Sequence, residues 1–194
     1  FKELLLKYFP ELIFKDKNPN IHTLVNASYP LLYKSKGLLR TSIAYLDDLI
    51  NFNLKNIFNR TTVLFSFRKD PYNTFNWIIN TVKKSKNKLT VFFLLGDSKN
   101  YQESLNSQKS ALKLLIKNIA DYKEIGLLFS FEALQSLFVQ NEEKEKIEAI
   151  INRRLVSSIN DQYLVSLPQN YRNLIELEVK KDFTMVYETT IGFR

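Results

Sequence analysis

Few side chains in this chain can do chemistry, and their scarcity excludes much. The 194 residues contain one histidine, His22, and no cysteine. Thiolate nucleophiles, disulfides and thiolate zinc sites are therefore excluded, as is any site built from several histidines. Four glycines leave no glycine-rich phosphate loop, since neither G-x-G-x-x-G nor G-x-x-x-x-G-K-S/T occurs. What remains is carboxylates, hydroxyls, amides and cations. Two carboxylates, Asp97 and Asp161, follow apolar runs. Three tyrosines, Tyr29, Tyr33 and Tyr72, sit in turn-rich stretches. Lys34, Lys36 and Arg40 form one local basic cluster.

The elements that must position these groups follow from hydrophobic period. Residues 88–95 (Lys-Leu-Thr-Val-Phe-Phe-Leu-Leu) form a continuous apolar run ending at Gly96-Asp97. Such a run suits a parallel strand covered on both faces. Further strands are expected at 22–27, 124–129, 154–158 and 183–187. Apolar residues at helical spacing predict helices over 38–52 (through Leu38, Leu39, Ile43, Leu46, Leu49 and Ile50), 74–84, 107–122 (with Ala111, Leu114, Leu115 and Ile119 on one face), 132–138, 141–153 and 168–178. Residues 54–67 are ambiguous. Thr61 to Phe65 has strand propensity, and the segment before it reads as helix. Strands alternating with helices predict an α/β fold with a largely parallel sheet and right-handed crossovers. Chemistry in such folds sits at the carboxyl ends of the strands. Those ends are Asn26 and Ser28, Gly96 and Asp97, Leu128 to Ser130, Ile159 to Asp161, and Tyr187 to Glu188.

Each candidate has a plainer role beside the functional one. Asp97 is either a cleft carboxylate that touches sugar hydroxyls or a turn residue accepting backbone N–H groups. Asp161 is either a ligand or base, or a solvated loop residue. Tyr29, Tyr33 and Tyr72 flank the mouth of the expected cleft, with hydroxyls directed at water and ring faces suited to sugars. Trp77, Phe92 and Phe93 are expected in the core. The run from Glu142 to Glu148 reads as a solvated helix face with i,i+4 Glu–Lys pairs.

Six pieces, in order along nearly the whole chain, carry a family resemblance: 33–40 (Tyr-Lys-Ser-Lys-Gly-Leu-Leu-Arg), 69–75 (Lys-Asp-Pro-Tyr-Asn-Thr-Phe), 92–97 (Phe-Phe-Leu-Leu-Gly-Asp), 124–126 (Glu-Ile-Gly), 167–174 (Leu-Pro-Gln-Asn-Tyr-Arg-Asn-Leu), and 183–187 followed by Gly192-Phe193-Arg194. Together they resemble a Bacteroidetes-like branch of the polysaccharide deacetylases, the NodB-type carbohydrate esterases. The resemblance implies a partial or distorted (β/α) barrel over residues 1–194, truncated at its carboxyl end. It implies a divalent metal such as zinc that polarises an acetyl carbonyl and lowers the pKa of the attacking water.

The sequence departs from the family at the positions that would do this chemistry. Asn26-Ala27-Ser28 stands in place of an Asp-x-Asp. Leu128 stands in place of a ligand His. Ile159-Asn160-Asp161 stands in place of an Arg-x-His. His22 matches no ligand, and Arg194 matches an Arg whose acidic partner is replaced by Asn26. Asn and Ser have no proton that titrates near pH 7, so neither serves as general base. Leu128 and Ile159 are instead expected to fill the space a metal vacates. No bound metal or other cofactor is expected.

Three functional readings follow. The first is a domain without metal-dependent catalysis that binds a polysaccharide or a partner protein in cell-envelope metabolism, through Tyr29, Tyr33, Lys34, Lys36, Arg40, Tyr72 and Asp97. The second is an active deacetylase completed by residues outside this chain. The third is a basic module for nucleic acid or an anionic surface, suggested by a net charge of +8. The dispersed lysines argue against nucleic acid. No apolar run approaches the length of a membrane span. Phe1 in place of Met points to a processed product or a fragment, and no signal-peptide pattern is present. The composition fits a cytoplasmic or an envelope-associated location equally.

Overall fold

A computed structural model describes residues 2–13, 21–85, 87–96 and 110–186. The elements in chain order are α1 (Lys2–Tyr8), β1 (His22–Ala27), α2 (Leu38–Ile50), α3 (Leu54–Leu64), α4 (Phe75–Ser85), β2 (Lys88–Leu94), α5 (Ser110–Ala120), β3 (Glu124–Phe129), α6 (Leu137–Ile151), β4 (Ser157–Asn160), α7 (Gln169–Glu176) and β5 (Lys181–Asp182). All five strands are parallel and pair in the order β1-β2-β3-β4-β5. A strand order without reversal winds every crossover to the same side of the sheet. The result is a curled half-barrel with helices outside, as the β/α alternation predicts.

Strand alternation divides the apolar residues into two clusters. Val91, Phe93, Ile125, Leu127 and Phe129 face outward. They pack against Ile79 and Val82 of α4, Leu112, Ile116 and Ile119 of α5, and Ile147 of α6. Phe92, Leu94, Leu128 and Ile159 face inward as a second cluster, joined by Leu24, Tyr163 and Phe183. Phe92 and Phe93 are fully buried, as expected. Gly126 makes room for the inner cluster, because a Cβ there would lie 2.3 Å from the Phe92 ring.

Several local expectations shift. The ambiguous segment is helical as α3. Asn53 caps it by accepting a hydrogen bond from Asn56 N at 3.3 Å, and the cap prevails over the strand propensity of Thr61 to Phe65. The helix expected from 132 is a 3-10 turn at Ala133–Gln135, set by Ser130 Oγ accepting from Ala133 N. The two helices expected at 132–138 and 141–153 give way to one continuous helix, α6, capped by Ser136. β4 begins three residues later than predicted, because Leu155 N donates to Glu148 Oε1 and is held on α6. β5 is shorter and earlier than 183–187, and Tyr187 lies outside the described residues.

Two helix faces differ from the expectation. On α5 the buried residues are Leu112, Ile116, Ile119 and Ala120, while Ala111 and Leu114 are exposed. On α4 the residues Phe75, Ile79 and Val82 take the core, so Trp77 points away from it and is 71% exposed. No described helix is long and apolar enough to cross a membrane.

Candidate functional site

The site begins where β1 ends. Asn26 Oδ1 accepts from Ser28 N at 3.1 Å and from Ser28 Oγ at 2.5 Å. This turn leads the chain out of the strand, so the two side chains expected in place of catalytic acids hold each other. Beyond them a cavity of about 450 Å³ is lined by residues 25–30 and by Pro71, Tyr72, Thr74, Phe75 and Ile78. Tyr29 and Tyr72 are both partly exposed at its edge. Four of the residues singled out from sequence, Asn26, Ser28, Tyr29 and Tyr72, thus meet at one place.

Asp70 precedes Pro71 and Tyr72 of this cavity and lines the neighbouring one, and residue type alone does not single it out in the sequence. Its carboxylate is buried. Oδ1 accepts from Leu32 N (2.8 Å) and Tyr72 N (3.1 Å), and Oδ2 from Tyr33 N (2.9 Å) and Lys34 N (3.1 Å). One side chain thereby fastens the loop after β1 to the loop before α4. The available signal was Asp70-Pro71 ahead of a helix, a combination that favours side-chain to backbone bonding in turns.

Tyr33 departs from expectation. It is buried, and its ring lies under the Arg60 guanidinium at 5.2 Å. Burial raises its phenol pKa, against the pull of Arg60 in the other direction. Arg60 also pairs with Asp48, and Tyr33 is not among the residues that line the cavity beside Tyr29 and Tyr72. Of the basic cluster, Lys34 Nζ donates to Ser66 Oγ at 3.1 Å. Lys34 lines a neighbouring cavity of about 370 Å³ with Arg68, Lys69, Asn73 and Asn118. Lys36 and Arg40 are half-buried at the start of α2.

At the ends of β3 and β4 the expected ligand positions are apolar. Leu128 and Ile159 are buried in the inner cluster. β4 runs through Ile159, so Ile159 is a strand residue and not a loop residue. Asn160 is buried, donating Nδ2 to Leu164 O and its N–H to Thr184 Oγ1. Asp161 opens a 3-10 turn at Asp161–Tyr163 and is half-buried. Asp97 and Arg194 lie outside the described residues, as does Glu188. Among the described residues, no three His, Cys, Asp or Glu side chains gather as a metal site would need.

Titratable groups do converge at the opposite end of the strands. His22 Nε2 lies 2.8 Å from Thr90 Oγ1. Glu124 accepts from Ser157 Oγ, and its Oε2 lies 3.3 Å from Lys181 Nζ. Burial works to raise the Glu124 pKa, but the bonds from Ser157 and Lys181 outweigh it and hold the carboxyl below its usual value. Polar groups at the amino end of barrel strands typically serve stability, and these tie β1 to β2 and β3 to β4 and β5.

No protein family model matches this chain, and no curated protein matches it in sequence. Similar solved structures include a CE4 family pseudoenzyme from Bacillus anthracis, BA3943, at 13% identity and a TM-score of 0.40 over 54% of this chain. A mutant of BA3943 with restored enzymatic activity aligns at 13% identity and a TM-score of 0.41 over 55% of this chain. This chain spans 36% and 38% of those proteins' own lengths.

Proposed function

We propose that this domain binds carbohydrate at the carboxyl end of β1 and does not hydrolyse it. The observation that carries the reading is the contrast within one rim. Leu128 and Ile159 close the inner face with Phe92 and Leu94, while Tyr29 and Tyr72 stand beside an open cavity of about 450 Å³. A metal-assisted hydrolysis needs anionic or imidazole ligands and a base, and buried aliphatic side chains supply neither. Aromatic faces beside amide and hydroxyl groups suit sugar rings, which present C–H surfaces and hydroxyls together. The Asp70 anchor holds both tyrosine-bearing loops in place before a ligand arrives, which limits the ordering cost of binding. The likeness in shape to a CE4 family pseudoenzyme accords with this reading but does not carry it.

Calorimetric titration with acetylated oligosaccharides of the chitin type tests the proposal. Tyr29→Ala with Tyr72→Ala should weaken binding by about tenfold or more and leave the thermal midpoint nearly unchanged, since both residues are partly exposed. Unchanged affinity in this double variant overturns the site. Release of acetate by the unmodified protein overturns the absence of catalysis.

A further inference from the structure

The α2–α3 hairpin is built with its polar side inward. Arg60 Nη2 meets Asp48 Oδ2 at 2.6 Å, with both side chains 9% exposed. Tyr45 Oη lies 2.9 Å from Thr61 Oγ1, Asn56 Nδ2 donates to Asp48 Oδ1, and the Tyr45 ring lies 5.4 Å from the Arg60 guanidinium. The apolar side faces solvent. On α2, Leu38, Leu39, Ile43, Leu46, Leu49 and Ile50 share one stripe, roughly 140° wide at 3.6 residues per turn, and all six are exposed. Phe52 in the connecting turn is 86% exposed, and Leu54 and Phe58 continue the surface onto α3. Phe65 and Phe67 follow the helix, with ring centroids 6.4 Å apart and Phe67 81% exposed. These side chains together expose on the order of 1,000 Å² of apolar area, well above what a soluble monomer leaves uncovered.

The surrounding charge decides what covers this face. Between residues 34 and 70 the basic residues are Lys34, Lys36, Arg40, Lys55, Arg60, Arg68 and Lys69, and the acidic ones are Asp47, Asp48 and Asp70. Asp48 is neutralised by Arg60, and seven cations against three acids leave the segment net basic. A second copy docked face to face would set these cations against each other, in a chain whose net charge is already +8. An anionic bilayer meets both features at once. Its acyl boundary takes Leu, Ile and Phe, and its headgroups take Lys and Arg.

We infer that the α2–α3 hairpin is an interfacial anchor that lies on an anionic lipid surface, with Phe52, Phe58, Phe65 and Phe67 inserted and the cations at headgroup level. The hairpin joins β1 to α4, so this contact sets the β1 cavity beside the bilayer. The inference stands apart from the carbohydrate reading, because it uses neither Tyr29 nor Tyr72.

Flotation with vesicles tests it. The protein should float with phosphatidylcholine–phosphatidylglycerol vesicles at about 7:3 and stay behind with phosphatidylcholine alone. Raising NaCl from about 0.1 to about 0.5 M should reduce floating severalfold. Phe52→Ser with Phe58→Ser should lower partitioning at least about tenfold, with the thermal midpoint and any oligosaccharide binding unchanged. Failure to float with either vesicle overturns the inference. So does self-association in sedimentation velocity that the same double variant abolishes while vesicle binding persists, since the face then belongs to a second copy.

Discussion

At the barrel mouth, Leu128 and Ile159 are buried where the family resemblance places polar ligands, and on α2 six aliphatic residues at helical spacing face solvent. The two regions invert the usual arrangement in opposite senses. In the half-barrel, ladder pairing between parallel strands satisfies main-chain groups, so the inner face can be filled with Phe92, Leu94, Leu128 and Ile159. In the hairpin, two helices are joined by an ion pair and a hydroxyl pair. Hydrophobic burial therefore holds the barrel mouth, and polar pairing holds the hairpin. A substitution that adds charge separates the two regimes most sharply.

Leu128→Asp should have the largest effect. It places a carboxylate among Phe92, Leu94 and Ile159 with no cation in that cluster. A loss of about 4 kcal/mol or more in urea unfolding is expected. Phe58→Asp, on the exposed side of α3, should change stability by within about 0.5 kcal/mol. Equal losses from the two substitutions would mean that the hairpin face is covered in the folded protein.

Asp48→Ala should come next, at about 3 kcal/mol, because it strands the Arg60 guanidinium at a buried position. Asp48→Leu combined with Arg60→Met should recover most of that loss, as an apolar pair leaves no charge uncompensated. Recovery in the double variant, measured against both single variants, shows that the loss in Asp48→Ala comes from the stranded charge and not from the missing ion pair itself. Gly126→Ala should cost about 2 kcal/mol, since its Cβ would overlap the fully buried Phe92 ring.

The same contrast explains what the sequence made legible. Strand positions were read well where a run was apolar on both faces, as in β2, because only a covered parallel strand accommodates such a run. Leu128 and Ile159 lie buried in the inner apolar cluster. The periodic stripe of α2 revealed a helix correctly, but period carries no information on which side faces the protein. That side was decided by Arg60, twelve residues after Asp48, a long-range pair that local pattern does not announce. Tyr33 was misplaced for the same reason, and Asp70 was passed over because its four donors are main-chain groups. The strand-end cavity was legible only in part. Asn26, Ser28, Tyr29 and Tyr72 meet there, but the loop anchor that brings them together was not foreseen.

The smallest expected effect concerns two glutamates that differ as the two regions do. Glu143 on α6 is buried beside Gly96 and Ser130, with Oε2 accepting from Ser130 N at 3.0 Å. Burial raises its pKa above the usual 4.5, more than the bonds from Ser130 lower it. The folded protein thus holds this proton more tightly than the unfolded chain. Its contribution is greatest at pH below 4.5 and declines as pH rises through the interval between 4.5 and the raised folded value. Glu124 has the opposite sign, because its carboxyl is held below 4.5. Its contribution is present above 4.5 and is lost as pH falls through the lowered value. Glu143→Gln should therefore flatten the decline in stability on the alkaline side of pH 4.5 and leave the acid limb intact. Glu124→Gln should flatten the acid limb alone. Urea midpoints measured across this range for both variants read the two limbs separately, and a single variant that flattens both would refute this assignment of the glutamates.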